Sequence, residues 1–391
     1  MKKILILNFL MLTLFNFAHP VTPQMMELKG SPDYLFGLFF FAMSAGTFYF
    51  SPKWGSKIDR IGTRKILTIA PLIYAIGQFM FAYFTNPLLM LIGRFISGAF
   101  ASGWIVGVTS YINLKSKPDE KIKNFGYQLV ATNLGGVVGQ MLSGKIGSSN
   151  VYYSFIFQIT FLIILGLVVF GIVENLYPEA KVQAKTSFTK AVGALREHGY
   201  LLLMLSMICF ATINNISRGM PSYFGSDVAN FTTSQVGNMN AYVNLLGLIS
   251  NLFIIRIMEK KFTFFTSYLI QGVTTIVGTL LILYAVATID TNPYFGFLFL
   301  TALTLVTLGS SFYRPYVQKE VVNSGKFDQG EILGVINSFN AIGMLLSSGS
   351  MTLLYPLLYP LNPIMPFVAM LVFAILSVSL HLIASKDEKT A

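Results

Sequence analysis

Residues 55–65 read GSKIDRIGTRK, and five of these residues are charged: Lys57, Asp59, Arg60, Arg64 and Lys65. They interrupt two apolar runs, LFGLFFFAMSAGTFYF at 35–50 and ILTIAPLIYAIGQFMFAYF at 66–84. Spanning hydrocarbon as a helix takes about 20 apolar residues, and both runs reach that length with their flanks. A burst of cations around one acid, between two such runs, reads as a short loop on the cation-rich side of a bilayer. The stretch therefore decides the fold class: two membrane helices joined by a tight turn, not a soluble core.

The rest of the chain agrees. Of 391 residues, 54% are hydrophobic and only 11% charged, against roughly 25% charged in soluble domains. Twelve apolar spans are expected, at about 3–25, 34–54, 66–85, 87–112, 124–147, 151–173, 199–222, 232–256, 264–287, 293–316, 330–354 and 363–384. The runs are long and continuous, which implies helices; barrel strands alternate over about ten residues. The formal charge of +11 taken alone suggests a polyanionic partner, but its distribution excludes nucleic acid. Of the 27 Lys and Arg, Lys29 and Lys145 fall outside and Arg94, Arg218 and Arg314 fall within or near spans. All the others lie on one side, which places both termini in the cytoplasm and the protein in the cytoplasmic membrane. The opening MKKILILNFLMLTLFNFAHP has the form of a signal peptide. It is read instead as span one, since its removal would put the termini on opposite sides. The lone cysteine, Cys209, rules out a disulfide within the chain and reads as packing.

The spans divide into two sets of six. Residues 174–198 are the longest polar stretch, and Phe188, Val192 and Leu195 in it share one helical face. A linker with a short amphipathic helix is expected, between an N-terminal half at 1–173 and a C-terminal half at 199–391. Internal repetition supports the division. Asn16 and Pro23 superpose on Asn214 and Pro221, Gly37, Asp59 and Arg60 on Gly237, Glu259 and Lys260, and Gly126 and Gly135 on Gly334 and Gly343. Duplicated six-helix halves are a plan of secondary transporters, which hold substrate near the midplane between them.

At this point the opening stretch resembles a known family. Gly55, Asp59, Arg60, Gly62 and Arg64 match the loop 2–3 signature of the major facilitator superfamily, G-x-x-x-D-R-x-G-R-[RK], with Thr63 in place of its first arginine. Residues Arg256–Lys261 resemble a degenerate second copy, so the resemblance covers the whole chain. Leu91-Ile-Gly-Arg94-Phe-Ile-Ser-Gly98 is similar to the family's R-x-x-x-G segment. Gly139-Gln140-Met-Leu-Ser143-Gly144 is similar to the G-P-x-x-G-G segment of antiporters, with Gln140 for the proline and Ser143 for one glycine. The resemblance implies an all-α integral membrane protein of twelve helices in two pseudo-symmetric six-helix halves. It implies alternating access and leans toward the drug:proton antiporter-like branch. In the family the acid equivalent to Asp59 bridges the halves when the cytoplasmic side is closed, so Gly55, Asp59, Arg60, Gly62 and Arg64 are expected to form a breakable latch. The plainer alternative is a surface salt bridge worth about 0–1 kcal/mol. Spans one, four, seven and ten usually line the family's cavity, which brings forward Asn16, His19, Arg94, Asn214, Arg218 and Tyr313.

Polar groups inside spans are expensive and are candidate sites by default. None of the 16 acids falls in the middle of a span. The substrate and proton pathway is expected to draw on Asn16, His19, Gln24, Arg94, Gln128, Asn133, Asn214, Arg218, Asn240, Tyr313, Arg314 and Asn337. His19 can change charge near neutral pH, and Arg94 can hold an anion or bias a neighbouring group. The competing readings are an imidazole bonded to a neighbouring helix, an arginine satisfied by carbonyls, arginines at helix ends reaching the headgroups, and amides acting as interhelical glue. Cations without a buried carboxylate favour neutral or anionic ligands over organic cations. Gly139–Lys145 formally fits G-x-x-x-x-G-K, but Ile146 stands where Ser or Thr would hold magnesium and no strand precedes it, which excludes a nucleotide loop. The three histidines are scattered, so no metal, cofactor or enzyme chemistry is expected. The expected function is proton-coupled efflux of a neutral or anionic lipophilic compound by a monomer whose partners are its small-molecule substrate, protons and the lipid bilayer. The alternatives are uptake or facilitated exchange of a small organic anion or sugar, and a transporter-like receptor, for which the linker and tails are too short to add a domain.

Overall fold

The computed structural model describes the chain except residues 33, 118–119, 178–187, 198, 228, 311–316, 318–320, 322–335, 337–338, 351–363 and 391. The described residues form helices and no strand. In order these are α1 (Lys2–Phe15), α2 (Ala18–Leu28), α3 (Tyr34–Ile61), α4 (Thr63–Tyr83), α5 (Pro87–Lys115), α6 (Lys121–Gly147), α7 (Val151–Ile172), α8 (Phe188–Glu197), α9 (Leu201–Asp227), α10 (Thr233–Ile249), a π-helical turn Ser250–Ile254, α11 (Ile255–Lys261), α12 (Phe264–Ala287), α13 (Phe295–Ser310) and α14 (Met365–Thr390). Residues 339–350 are also helical.

Local chemistry sets several boundaries. Helix α5 starts with Pro87, whose missing N–H costs nothing in a first turn, and Asn86 Oδ1 accepts from the Leu88 amide at 2.9 Å. Asn150 and Thr263 cap α7 and α12 in the same way, through the amides of Tyr152 and Thr266. The amphipathic helix expected from Phe188, Val192 and Leu195 is α8, and Leu195 is buried.

Among the described residues, eight helical segments are long and apolar enough to cross a membrane. Their outward faces confirm the solvent. Helix α7 exposes Phe161, Ile164, Leu167 and Phe170, while Phe155, Leu162, Leu165 and Val169 face the core. Such a stripe would be a liability in water but is ordinary against lipid. Two expected spans differ in detail. Span one, read as continuous over 3–25, is two helices that break at Asn16–Phe17. Span eight, read as 232–256, is α10 followed by the π-helical turn.

The chain forms two compact units, one of Met1–Val182 with Pro221–Leu245, the other of Gln183–Met220 with Leu246–Ala391. In the first unit α5 packs on α3 and α4, α4 on α7, and α1 on α6. One core cluster in it sits around Trp104, Tyr74, Met11, Leu162 and Leu165. In the second unit α12 packs on α13 and on α14.

Candidate functional site

The break in span one organises the first unit. Helix α1 ends at Phe15 and α2 begins at Ala18, so the regular i→i−4 ladder is interrupted and carbonyls beside the break lose helical donors. In lipid, freed carbonyls must find other donors. Side chains from three helices supply them. Gln158 Nε2 of α7 donates to Leu14 O at 2.6 Å, Tyr74 Oη of α4 to Phe15 O at 3.4 Å, and Ser143 Oγ of α6 to Phe17 O. The discontinuity thus draws polar side chains of α4, α6 and α7 onto carbonyls of one short stretch.

A chain of amides leaves the break. Gln140 Nε2 donates to Asn16 Oδ1 at 3.3 Å, and Asn244 Nδ2 donates to Gln140 Oε1 at 2.7 Å and to Asn240 O at 3.0 Å. Gln140, Asn240 and Asn244 are buried. Further along, Thr233 Oγ1 donates to Gln24 Oε1 at 2.6 Å. Helices α6 and α10 come this close because glycines face each other: a Cβ on Gly144 would sit 2.8 Å from Thr233 O and 3.0 Å from the Gly237 Cα. Gly139 and Gly144 lie inside α6 and not in a phosphate-cradling loop.

Arg94 lies on the other side of the same break. It is 3% exposed. Its Nη2 donates to Thr22 Oγ1 at 3.0 Å, while that hydroxyl donates to Ala18 O at 2.6 Å. The guanidinium lies 3.5 Å from the Phe81 ring centroid, and its Nε is buried with no hydrogen-bond partner among the described residues. Among the described residues the one ion pair joins Lys115 to Glu174, so no described carboxylate neutralises Arg94. A buried cation with an unused donor is costly unless something answers it. Arg94 can therefore draw an anionic or strongly accepting group toward the break and disfavour a cation. His19, partly exposed, stacks on Phe40 at 5.6 Å.

The remaining expected residues are dispersed. Gln128 Nε2 donates to Thr109 Oγ1 at 3.1 Å, twelve residues along α6 from Gln140, or about 18 Å at 1.5 Å per residue. Asn133 Nδ2 returns to Leu129 O in its own helix. In the second unit Asn214 Nδ2 donates to Ser310 Oγ at 3.2 Å, and Arg218 is exposed. Tyr313, Arg314 and Asn337 lie outside the described residues. In the 55–65 turn, Arg60 is exposed and the Arg64 guanidinium lies over Phe170 at 5.5 Å. Asp59 falls within α3, two residues before its end at Ile61.

Sequence reasoning passed over Thr22, Gln158 and Asn8. Asn8 is buried and bridges Trp104 Nε1 at 3.1 Å and Thr132 Oγ1 at 3.0 Å. Gln158 had a legible signal, since it is the one amide in the otherwise apolar run of α7. Thr22 had none, because a threonine at a helix interior is common and only its neighbour gives it a role.

The family model described as Major Facilitator Superfamily matches residues 4–348. Quinolone resistance protein NorA of Staphylococcus aureus (strain COL) is 22% identical over 351 residues, 88% of this chain and 87% of that one. Multidrug resistance protein 2 of Bacillus subtilis (strain 168) is 20% identical over 332 residues, 83% of this chain and 80% of that one. Among solved structures, a bacterial homologue of the human lysosomal transporter Spinster, inward-facing and unoccupied, superposes with a TM-score of 0.77 at 14% identity, covering 98% of this chain and 95% of that one.

Proposed function

The chain belongs to the major facilitator superfamily, a multi-pass membrane transporter and not an enzyme, and from that premise we propose that it exports a small lipophilic compound, neutral or anionic, in exchange for protons. The observation that carries the substrate class is Arg94, buried beside the broken span one with an unused Nε and no described carboxylate against it. The relatives' names, quinolone and multidrug resistance proteins, support the direction of transport. A quinolone is a compact aromatic carboxylate. It would place its acid on Arg94 and its rings among Phe36, Phe40 and Phe81.

In this reading residues 1–173 and 199–391 are the two rocking halves, and both termini are cytoplasmic. Asn16, His19, Gln24, Arg94 and Asn240 line the path in the first unit, with Asn214 and Arg218 in the second. His19 is the imidazole placed to take up and release a proton. Asp59, Arg60 and Arg64 form the cytoplasmic latch, on the turn at Gly62. The protein works as a monomer, since each copy carries both halves.

The test is transport in proteoliposomes loaded with a pH dye, offering a fluorescent fluoroquinolone, a small organic anion and a sugar to wild type, Arg94→Ala and His19→Ala. Proton flux opposite to quinolone flux, lost in either variant, is the expected result. Substrate movement without proton flux would overturn the coupling and leave facilitated exchange. A sugar carried at the same rate by Arg94→Ala would overturn the anion assignment.

A further inference from the structure

The 55–65 turn is held from an unexpected direction. Helix α4 begins at Thr63, and its cap position is Gly62, which has no side chain to accept from the first amides. The segment that follows α7 supplies the acceptors. The Thr63 amide donates to Leu176 O at 2.9 Å, and the Arg64 amide donates to Asn175 Oδ1 at 2.9 Å. Asn175 Nδ2 donates back to Ile61 O, the last carbonyl of α3, at 3.3 Å, and to Tyr177 Oη at 2.8 Å. The Leu176 amide donates to Thr63 Oγ1 at 3.1 Å. One amide side chain therefore closes both the end of α3 and the start of α4.

Two features of the turn follow from this clasp. Gly62 has φ +82°, a left-handed conformation that glycine adopts freely, and a Cβ there would overlap the Asn175 amide. Thr63 has no exposed surface, and both its amide and its hydroxyl are used. An arginine, which stands at this place in the signature that the turn resembles, would have no room and would leave the Leu176 amide without its acceptor. Beside the clasp, Glu174 pairs with Lys115 at the end of α5. Residues 174–176 are thus tied to the ends of α3, α4 and α5 together.

We propose that Asn175, with Thr63, is a positioning residue for transport: it makes the 55–65 turn and the start of the linker one rigid piece, so that Asp59, Arg60 and Arg64 are carried as a unit when the halves move. Neutral hydrogen bonds do this where a charged arginine would be screened by salt and free to swing. The proposal rests on the transport reading, and its effect is on rate, because the clasp touches no substrate.

The experiment compares Asn175→Ala, Asn175→Asp, Thr63→Val and Thr63→Ser, each in two readouts. In proteoliposomes, quinolone transport is measured per folded molecule. Asn175→Ala and Thr63→Val are expected to lower the maximal rate roughly tenfold with KM within about twofold, a size in the usual range for coupling residues. Thr63→Ser keeps the hydroxyl and wild-type rate. Asn175→Asp keeps the acceptor for Arg64 but loses the donor to Ile61, and falls between. The second readout needs no substrate. Lys65, which is exposed, is replaced by cysteine in a Cys209→Ser background and labelled with a maleimide, and labelling is expected several-fold faster with Asn175→Ala. Unchanged labelling overturns the proposal. So does a rate per folded molecule that stays at wild type in Asn175→Ala and Thr63→Val, since a purely structural role lowers only the folded amount. If wild type moves no quinolone, the functional reading fails and the labelling readout alone decides the clasp.

Discussion

Replacing Gln140 by Leu tests the polar chain at the span-one break. The substitution roughly keeps volume and helix propensity while removing two hydrogen bonds, to Asn16 at 3.3 Å and from Asn244 at 2.7 Å. Interhelical hydrogen bonds in membranes average about 0.6 kcal/mol each, so the pair is worth about 1.2 kcal/mol. Asn244 keeps its second acceptor, Asn240 O at 3.0 Å, which limits the desolvation cost. In the proposed mechanism α6 and α10 belong to opposite halves, and these bonds exist only while their contact is closed. Removing about 1.2 kcal/mol from that state alone shifts the population about eightfold toward the separated one. Ser234, beside Gly144 at the crossing, is the reporter. As Ser234→Cys with Cys209→Ser, it is labelled from outside with a membrane-impermeant maleimide. Labelling about eightfold faster in Gln140→Leu, with the thermal midpoint lowered by a few degrees at most, is expected. A rate within twofold of wild type would refute the reasoning, because the bonds would then not distinguish the two states.

Three further outcomes are expected. Asp59→Asn leaves the protein folded and cuts transport strongly; normal transport at normal expression, measured in the same proteoliposomes, removes the latch. Thr22→Val deprives the buried Arg94 of its acceptor, which costs about 1–3 kcal/mol; a lower thermal midpoint that Thr22→Ser restores is the check. Lys29 donates to Phe81 O and Phe84 O at the end of α4, and burial pulls its pKa from 10.5 down to about 8. The unfolded chain then binds more protons between those values, so stability rises with pH from about 8 to 10.5. That slope in the thermal midpoint, compared between wild type and Lys29→Met, should vanish in the variant.

The helical membrane fold was legible because lipid imposes a length and a polarity that composition records directly. The 55–65 stretch carried the turn and the family, since five charges between apolar runs have few other uses. The amphipathic α8 was legible from Phe188, Val192 and Leu195, as a period survives without tertiary context. The break in span one was half legible. Pro20 and Pro23 announce lost hydrogen bonds, but the donors that make a break tolerable, Gln158, Tyr74 and Ser143, come from three distant helices.

The same contrast separates what each level decided about the site. By itself the sequence determined a charge-poor chain of membrane helices and a family of transporters. It also placed Arg94 within an apolar span. Only the tertiary structure decided that Arg94 answers to Thr22 and Phe81, that Asn16, Gln140 and Asn244 form one chain, and that Asn175 closes the turn at Gly62 from more than a hundred residues away. Hydropathy is a property of single residues and adds along the chain. Hydrogen-bond partnership is a property of pairs, and the fold alone chooses the pairs.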